Sequence, residues 1–186
     1  MSHLQSIKEV YGGCSSIAIW SRIESDKPPK NGVGNTPFFD TLENVKFNPN
    51  IVLCGLNISK KLETPFSNFH SHRSTANDYK LRYAIQDTIF EGAYMTDVIK
   101  DFEELISGNV MKYLRSHPDF ERQNIEKLHD ELQFIGSVEP TIIAFGNDAF
   151  KILSRHFQKV FKVPHYSSYI CKEKLRETFL ELQSKI

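Results

Sequence analysis

The sequence predicts an α/β protein, folded as a three-layer α/β/α sandwich around a four-stranded parallel sheet. Four short apolar segments, rich in β-branched residues, alternate with longer segments of helical periodicity, which is typical of right-handed β–α–β crossovers. The length of 186 residues is that of one domain. We therefore expect a single domain over residues 1–186, in which residues 1–48 form an irregular or helical leader.

The predicted strands are short apolar runs bounded by turn residues. The first, Asn50 to Leu56, lies between Pro49 and the polar Asn57 and is continuously apolar, as expected for a strand that is buried on both faces. The other three strands are predicted at residues 93–97, 141–145 and 160–164. Helical connections between them would make all four strands parallel.

Helical periodicity fills the intervals between these strands. Asn77 is expected to cap a helix that carries Leu81, Ile85 and Ile89 on one face and ends at Gly92. A long helix is predicted to begin at Pro118 and to bury Ile125, Leu128, Leu132 and Ile135. The next helix is expected to be capped by Asn147 and to bury Phe150, Leu153 and Phe157. The last helix is expected to bury Leu175, Phe179 and Leu182.

The composition excludes several classes of protein. Hydrophobic residues make up 40% of the chain and charged residues 25%, which is globular rather than disordered. No stretch approaches the roughly 20 apolar residues of a membrane span, and the N-terminus lacks the apolar core of a secretory signal, so we expect a cytoplasmic protein without a membrane partner. We also expect a monomer. Cys14, Cys54 and Cys171 lie far apart without a C-x-x-C pair, which argues against a disulfide framework and a four-thiolate cluster. We expect no cofactor.

The charges are balanced overall and uneven along the chain. Lysine and arginine together number 23, as do aspartate and glutamate. Residues 57–82 carry five basic against two acidic side chains, and residues 151–176 carry seven against one. If these two stretches meet in space, one face could contact phosphates; the alternative is that the charges are scattered and solvated.

Polar residues follow the predicted strands at the edge where ligands bind. In an open parallel sheet, ligands lie beyond the carboxyl ends of the strands, because the loops converge there. The residues delivered to this edge are Asn57, Asp97, Asn147 or Asp148, and His165.

Asn57 and His165 each lie in a short motif that is similar to a motif of a known protein family. Gly55-Leu56-Asn57-Ile58-Ser59 follows a buried strand, and His165-Tyr166-Ser167 follows the last strand. They resemble the first and last active-site motifs of the uracil-DNA glycosylase superfamily, nearest its Asn-type mismatch and single-strand-selective branches. Residues 65–70 are placed similarly to the aromatic segment of that family, and the resemblance covers about residues 50–182. The chain departs from the family pattern at Ile58, Ser59 and Tyr166, where the family has Pro, Gly and Pro.

The resemblance implies a function in base excision repair. A member of this family would be a monofunctional hydrolase of the N-glycosidic bond to a damaged or deaminated base, with DNA, single-stranded or lesion-containing, as its partner. Such a reaction must stabilise an oxocarbenium-like sugar, deliver a water and neutralise charge on the leaving base. By resemblance, Asn57 would hold the water and His165 would donate a hydrogen bond to the base.

The resemblance also implies the binding residues. Phe66, or Phe69 in its place, would stack on an extruded base, and Tyr169 or Ile170 would fill the gap that it leaves. Ser167 would bind a backbone phosphate close to the base. The remaining implied residues are Gly55, Leu56 and Asp97 around the substrate, and Ser59, Lys60 and Ser168 along the DNA backbone.

Asp97 departs from the family, in which many members recognise the base edge with an Asn at this strand end. An amide offers a donor and an acceptor, whereas an ionised carboxylate only accepts. We hypothesise that Asp97, if it faces the pocket, favours a base edge rich in N–H groups, such as a deaminated purine or an amino-bearing base. It would weaken the recognition of uracil at O4.

Each candidate has a structural alternative. Asn57 could cap a turn, Asp97 could cap a helix, and His165 could be a satisfied structural histidine. Phe66 and Phe69 could be core side chains. The remaining candidates are weaker, because His70-Ser71-His72 has no evident third metal ligand and Cys54 is most simply a small buried hydrophobe.

Two other functions remain open at this point. One is a non-catalytic relative of the same fold that binds nucleic acid, a free base or a nucleotide. The other is a flavodoxin-like protein that binds a phosphorylated small molecule, with anion sites at the turns of Gly55 and Gly146.

Overall fold

The structure, a computed structural model, describes residues 2–24, 26–34, 36–71, 73 and 75–186. Seven helices and five strands are found in this part of the chain. In order they are α1 (His3–Tyr11), β1 (Ser16–Ile17), α2 (Phe38–Thr41), β2 (Asn48–Asn57), α3 (Asp78–Ile85), β3 (Ala93–Ile99), α4 (Ser107–Ser116), α5 (Pro118–Phe134), β4 (Thr141–Phe145), α6 (Gly146–Leu153), β5 (Val160–Val163) and α7 (Lys172–Gln183).

The α/β class is confirmed, and the sheet is mixed rather than wholly parallel. Its strand order is β1-β3-β2-β4-β5. The four predicted strands are present and pair in parallel. A fifth strand, β1, runs antiparallel to β3 with Ser16 opposite Met95. It has only two residues, which is too short to produce an alternating sequence pattern, and it lies in the segment that was predicted as a leader.

Two apolar clusters fill the interior. Successive residues of β2 alternate between them, because neighbouring side chains of a strand point to opposite faces. Cys54 belongs to the cluster that also holds buried residues of α1, α4, α5 and α6, whereas Leu53 belongs to the cluster with α3 and α7. The helices therefore pack on the sheet in two groups, one of α1, α4, α5 and α6 and the other of α3 and α7.

The leader is part of the core. Ile7, Ile17 and Phe39 are all buried in the first cluster. The Lys8 ammonium donates a hydrogen bond of 2.5 Å to the carbonyl of Phe39, which ties α1 to α2. Residues 1–48 were predicted as an irregular or helical leader, and the described part of this segment adds two helices and a sheet strand.

Some helix boundaries differ from the sequence predictions. Helix α3 ends at Ile85, not at Gly92, because Gln86 leaves the helical conformation with a ψ of 131° and Asp87 follows with a left-handed φ of 61°. Ile89 therefore lies outside the helix and is 38% exposed. The side chain of Asn77 makes no capping hydrogen bond. Asn147 lies inside the first turn of α6, which already begins at Gly146.

The other helices bear out or extend the prediction. Helix α5 begins at Pro118 and buries Ile125, Leu128 and Leu132 as predicted. Helix α7 likewise buries the three predicted apolar residues, while α4 had not been predicted. None of the helices in the described ranges has the length and apolarity that crossing a membrane requires.

A buried polar network joins β3 to α5. The hydroxyls of Tyr94 and Thr96 donate hydrogen bonds of 2.7 and 2.8 Å to Glu131 Oε1. The Lys100 ammonium lies 2.7 Å from Glu131 Oε2 and donates a bond of 2.6 Å to the carbonyl of Asp97. The network therefore holds the carboxyl end of β3, which carries a candidate site residue.

Candidate functional site

A cavity of about 670 Å³ opens at the carboxyl ends of the parallel strands. Asn57 comes from the end of β2, Asp97 from β3, Phe145 from the end of β4 and His165 from the loop after β5. The location agrees with the rule that open parallel sheets bind ligands beyond these strand ends.

Most of the predicted site residues lie in this cavity. Seven of the ten line it, namely Leu56, Asn57, Ser59, Asp97, His165, Ser167 and Ser168. Gly55 lies directly against Asp97, since a Cβ at this position would fall 2.1 Å from Asp97 Oδ1. Lys60 does not line the cavity, and its ammonium lies 4.0 Å from Glu63.

Phe66 is the third residue outside the cavity. It is fully buried in the first apolar cluster, with its ring centroid 5.4 Å from that of Phe39. Phe69, the second choice of the sequence analysis, lines the cavity instead. The two residues are three apart in one loop and share a φ of 62°. Both are buried, Phe66 in the first apolar cluster and Phe69, with 6% exposure, in the second, where Phe69 also borders the cavity.

Aromatic rings form one wall of the cavity. The ring centroid of Phe69 lies 6.1 Å from Phe145 and 6.2 Å from Tyr166. The imidazole of His165 stacks on Tyr166 with a centroid distance of 4.6 Å and an interplanar angle of 22°. Such a wall suits a flat ligand with a π-face.

The side-chain amide nitrogen of Asn57 donates its hydrogen bonds to backbone carbonyls of the protein. Nδ2 donates to the carbonyls of Glu104 at 2.8 Å and of Phe102 and Ile58 at 3.2 Å. This side chain therefore holds the loop after β3 against the end of β2. Its oxygen, Oδ1, is the atom left to accept a hydrogen bond from a water or ligand.

Asp97 is buried at the cavity, with an exposure of 4%. Asn68 Nδ2 donates a hydrogen bond of 2.8 Å to Asp97 Oδ2. Burial raises the pKa of Asp97 to about 6, although the bond from Asn68 and the charge of Lys100 both act to lower it. Asp97 lies inside β3 and does not cap a helix, so that structural alternative is wrong.

Two of the polar lining residues that the sequence analysis did not single out, Asn68 and Asp78, affect the charge and the hydrogen bonding of the cavity. Asn68 is the partner of Asp97, and Asp78 is a second carboxyl that is only 7% exposed. The backbone N–H of Ser71 donates a bond of 2.6 Å to Asp78 Oδ2, and burial raises the pKa of this carboxyl. The only sequence signal for Asn68 was its place in the aromatic segment of residues 65–70.

The geometry around His165 determines which ring nitrogen carries the proton. The backbone N–H of Ser167 donates to Nδ1 at 3.2 Å, and the Ser167 hydroxyl lies 2.6 Å from the same atom. Because a backbone N–H can only donate, Nδ1 is the acceptor and the proton resides on Nε2. Burial lowers the pKa of His165, which favours this neutral form. His165 therefore offers one N–H donor.

The cavity lining is acidic. Its charged side chains are Asp78, Asp97, Glu104 and Asp148, and the described residues contribute no Lys or Arg to it. Lys80 and Lys162 lie at the margin, where they donate bonds of 3.3 Å to the Ser168 carbonyl and 3.0 Å to Asn147 Oδ1. An anion is therefore better placed outside the cavity than inside it.

The two basic stretches of the sequence meet only partly in this region. Arg176 on α7 donates to the carbonyls of Tyr83 and Gln86, which joins α7 to α3. Arg82 is 3% exposed and donates to the carbonyl of Asn31 at 2.6 Å. These two arginines stabilise the fold and are not available to a polyanion.

Other candidate chemistry finds no support in the described residues. Cys54 is fully buried, and burial raises the pKa of its thiol well above the usual value, as expected for an inert core cysteine. No group of three His, Cys, Asp or Glu side chains in the described ranges is arranged to hold a metal ion. Of the weak metal candidate His70-Ser71-His72, His72 lies outside the described residues, and His70 is buried against backbone carbonyls.

Comparisons of this chain with protein-family models, with curated proteins and with solved structures find no match. What the fold and the site define is an α/β protein with a five-stranded mixed sheet. It carries an aromatic, acidic cavity at the carboxyl edge of its parallel strands.

Proposed function

We propose that this protein is a DNA glycosylase of the uracil-DNA glycosylase type, which hydrolyses the N-glycosidic bond of a damaged or deaminated base. The observation that carries the proposal is the convergence of Asn57, Asp97 and His165 on one cavity. These residues are separated by 40 positions or more in the sequence, and each lies near or just beyond the carboxyl end of its strand. The two apolar clusters on alternate strand residues support the three-layer arrangement of that superfamily.

The groups in the cavity suit the leaving base. Charge develops on the base as the glycosidic bond breaks, and a pre-oriented donor stabilises it. His165 supplies such a donor at Nε2, and the bond from Ser167 to Nδ1 orients the ring. The wall that contains Phe69 offers a stacking surface for the extruded base.

Asn57 suits the placement of the water. Its Oδ1 accepts a hydrogen bond from a water, while the bonds from Nδ2 to Phe102 and Glu104 hold the amide in position. An amide does not remove a proton, so a slow reaction is expected.

The margin of the cavity suits a DNA strand. Ser59, Ser168 and Lys60 are exposed beside it, where they would contact backbone phosphates together with Lys80. Tyr169 is fully exposed in the same loop as Ser168 and would fill the space left by an extruded base.

Base release from synthetic DNA tests this function. Single- and double-stranded oligonucleotides, each with one uracil, hypoxanthine or modified guanine, are incubated with the protein, and abasic sites are cleaved by alkali. We expect release from at least one lesion, and a loss of about 100-fold or more in His165→Gln. His117→Gln, at an exposed histidine that follows the last residue of α4 and does not line the cavity, is the matched control. Absence of release from every substrate contradicts the proposal.

A non-catalytic nucleobase-binding protein is the second candidate. The observation that favours it is the commitment of Asn57 Nδ2 to three carbonyls, which gives this residue a structural role without any water. Tight binding of a base or lesion DNA without release of the base would establish this function.

A further inference from the structure

We propose that the cavity selects a guanine-type base, whose edge carries a ring N–H beside an exocyclic amino group, and that Asp97 recognises this edge. The inference deepens the proposed function and rests on it for the source of the base, a modified or unpaired guanine in DNA. The recognition itself is a property of the cavity and is independent of bond cleavage.

The first step is the hydrogen-bonding state of Asp97. Its Oδ2 accepts from Asn68, and no donor to Oδ1 is found among the residues that the structure describes. The side chain lines the cavity although it is only 4% exposed. A carboxylate oxygen that has no donor within the described residues can accept a bond from a ligand, so a ligand that supplies an N–H group is favoured there. An ionised carboxylate can accept several such bonds.

The second step is the rigidity of this carboxylate. Asn68 holds one oxygen, and the absence of a side chain at Gly55 leaves room for the other. The backbone carbonyl of Asp97 accepts a hydrogen bond from Lys100, which is paired with Glu131. A fixed acceptor discriminates between base edges because it cannot move away from a repulsive partner.

The third step is the pattern of donors on each base. Guanine presents two adjacent donors, N1–H and the amino group, beside the O6 acceptor. Uracil presents a single N3–H between two carbonyl oxygens, which a carboxylate repels. Adenine and cytosine place an unprotonated ring nitrogen beside the amino group. Guanine therefore suits Asp97 best, and its O6 suits the Nε2–H donor of His165.

The remaining lining agrees with a ligand that carries donors and no negative charge. Asp78, Glu104 and Asp148 add acidic side chains, and no Lys or Arg in the described ranges lines the cavity. The aromatic wall around Phe69 accepts a purine as readily as a pyrimidine. A phosphate within the cavity would be repelled, so the base enters while its phosphate stays at the margin.

Nucleoside binding to the whole protein tests the inference. Deoxyguanosine, deoxyinosine and deoxyuridine are titrated calorimetrically at pH 7.5, where Asp97 is ionised. We expect deoxyguanosine to bind about tenfold or more tightly than deoxyuridine, with deoxyinosine, which lacks the amino group, between them. Equal or tighter binding of deoxyuridine overturns the inference, as does the absence of binding by all three.

A variant identifies the residue responsible. Asp97→Asn is expected to weaken deoxyguanosine binding about tenfold and to reverse the preference towards deoxyuridine. Asp101→Asn, the same change at an exposed position outside the cavity, should keep the wild-type order. An unchanged order in Asp97→Asn overturns the role of this residue. If that variant does not fold, the order measured for the wild-type protein still decides the inference.

The two proposals fail separately. A protein that prefers deoxyguanosine but releases no base from DNA supports this inference and contradicts the glycosylase function. A protein that releases uracil and prefers deoxyuridine supports the glycosylase function and overturns this inference.

Discussion

Gly55 and Asp97 are register partners on adjacent parallel strands, and a Cβ at Gly55 would lie 2.1 Å from Asp97 Oδ1. The same Cβ would lie 3.6 Å from the ring of Phe69. Glycine is therefore required beside Asp97 for a packing reason, since its φ is not in the left-handed region. The contact makes the first motif of the sequence and the carboxyl end of β3 parts of one site.

The first prediction concerns this contact. Gly55→Ala forces Asp97 or its strand to move, and we expect a loss of about 1–3 kcal/mol in the free energy of unfolding. Deoxyguanosine binding should weaken at the same time. Urea denaturation and calorimetric titration measure the two effects. Gly13→Ala is the control, because nothing lies within 4 Å of a Cβ there. Equal stability of the two variants would show that the contact relaxes freely.

The second prediction concerns the two phenylalanines of the aromatic segment. Phe66→Leu should lower the free energy of unfolding by about 1–2 kcal/mol, because it leaves space in the core, and should leave base binding unchanged. Phe69→Leu should weaken base binding several-fold, because it removes a stacking surface from the cavity. The ratio of affinity loss to stability loss separates the variants, and a larger affinity loss in Phe66→Leu would contradict the assignment.

The third prediction concerns the hydrogen bonds that orient His165. Ser167→Ala removes the hydroxyl beside Nδ1 and keeps the backbone donor, so we expect base release or binding to fall by up to about tenfold. ¹⁵N NMR of the imidazole should show an unprotonated Nδ1 and a protonated Nε2 in the wild-type protein. Ser184→Ala, at the remote end of α7, is the control. A proton found on Nδ1 would refute the assigned donor.

The fourth prediction concerns pH and stability. The pKa of Asp97 rises from 3.8 in its ordinary state to about 6 in the fold, mainly through burial, with Asn68, Lys100 and Glu131 as its other influences. Between these values the folded state binds more protons than the unfolded state, so the contribution of Asp97 to stability falls as pH rises through this window. Above pH 6 the ionised Asp97 lowers the free energy of unfolding by roughly 3 kcal/mol relative to the protonated form at low pH.

Asp97→Asn removes this titration. We expect the variant to gain stability relative to the wild-type protein from pH 4 to pH 7, by up to roughly 3 kcal/mol. Burial lowers the pKa of His70 to about 4, which gives the opposite slope in the same window, but that contribution is common to both proteins. Urea denaturation at several pH values measures the difference, and a difference that stays constant with pH would argue against a raised Asp97 pKa.

The fifth prediction concerns the buried ion pair of Lys100 and Glu131. Lys100→Met leaves the fully buried Glu131 carboxylate without its counter-charge, and we expect a loss of about 3–5 kcal/mol. Adding Glu131→Leu should recover part of this loss, although Tyr94 and Thr96 then lose their acceptor. A double-mutant cycle by denaturation measures the coupling, and strictly additive losses would rule it out.

The sequence by itself determined the α/β class and the edge of the sheet where the site lies. Continuous apolar runs such as residues 50–56 mark buried strands, because a strand that is covered on both faces carries mostly apolar side chains. Once those strands are parallel, Asn57, Asp97 and His165 must meet at one edge, since the direction of the chain is the same in each strand. The order of chain segments was enough for this inference.

Only the tertiary structure decided which side chains face the cavity and in what chemical state. Phe66 and Phe69 share a left-handed φ and are both buried, yet Phe66 packs on Phe39 of α2 while Phe69 lies beside Tyr166 at the cavity. Asn68 became a site residue through its bond to Asp97, and Asp78 through its burial. Strand β1 is held by pairing with β3 over two residues. These properties depend on contacts between distant segments, and a local sequence pattern contains no information about such contacts.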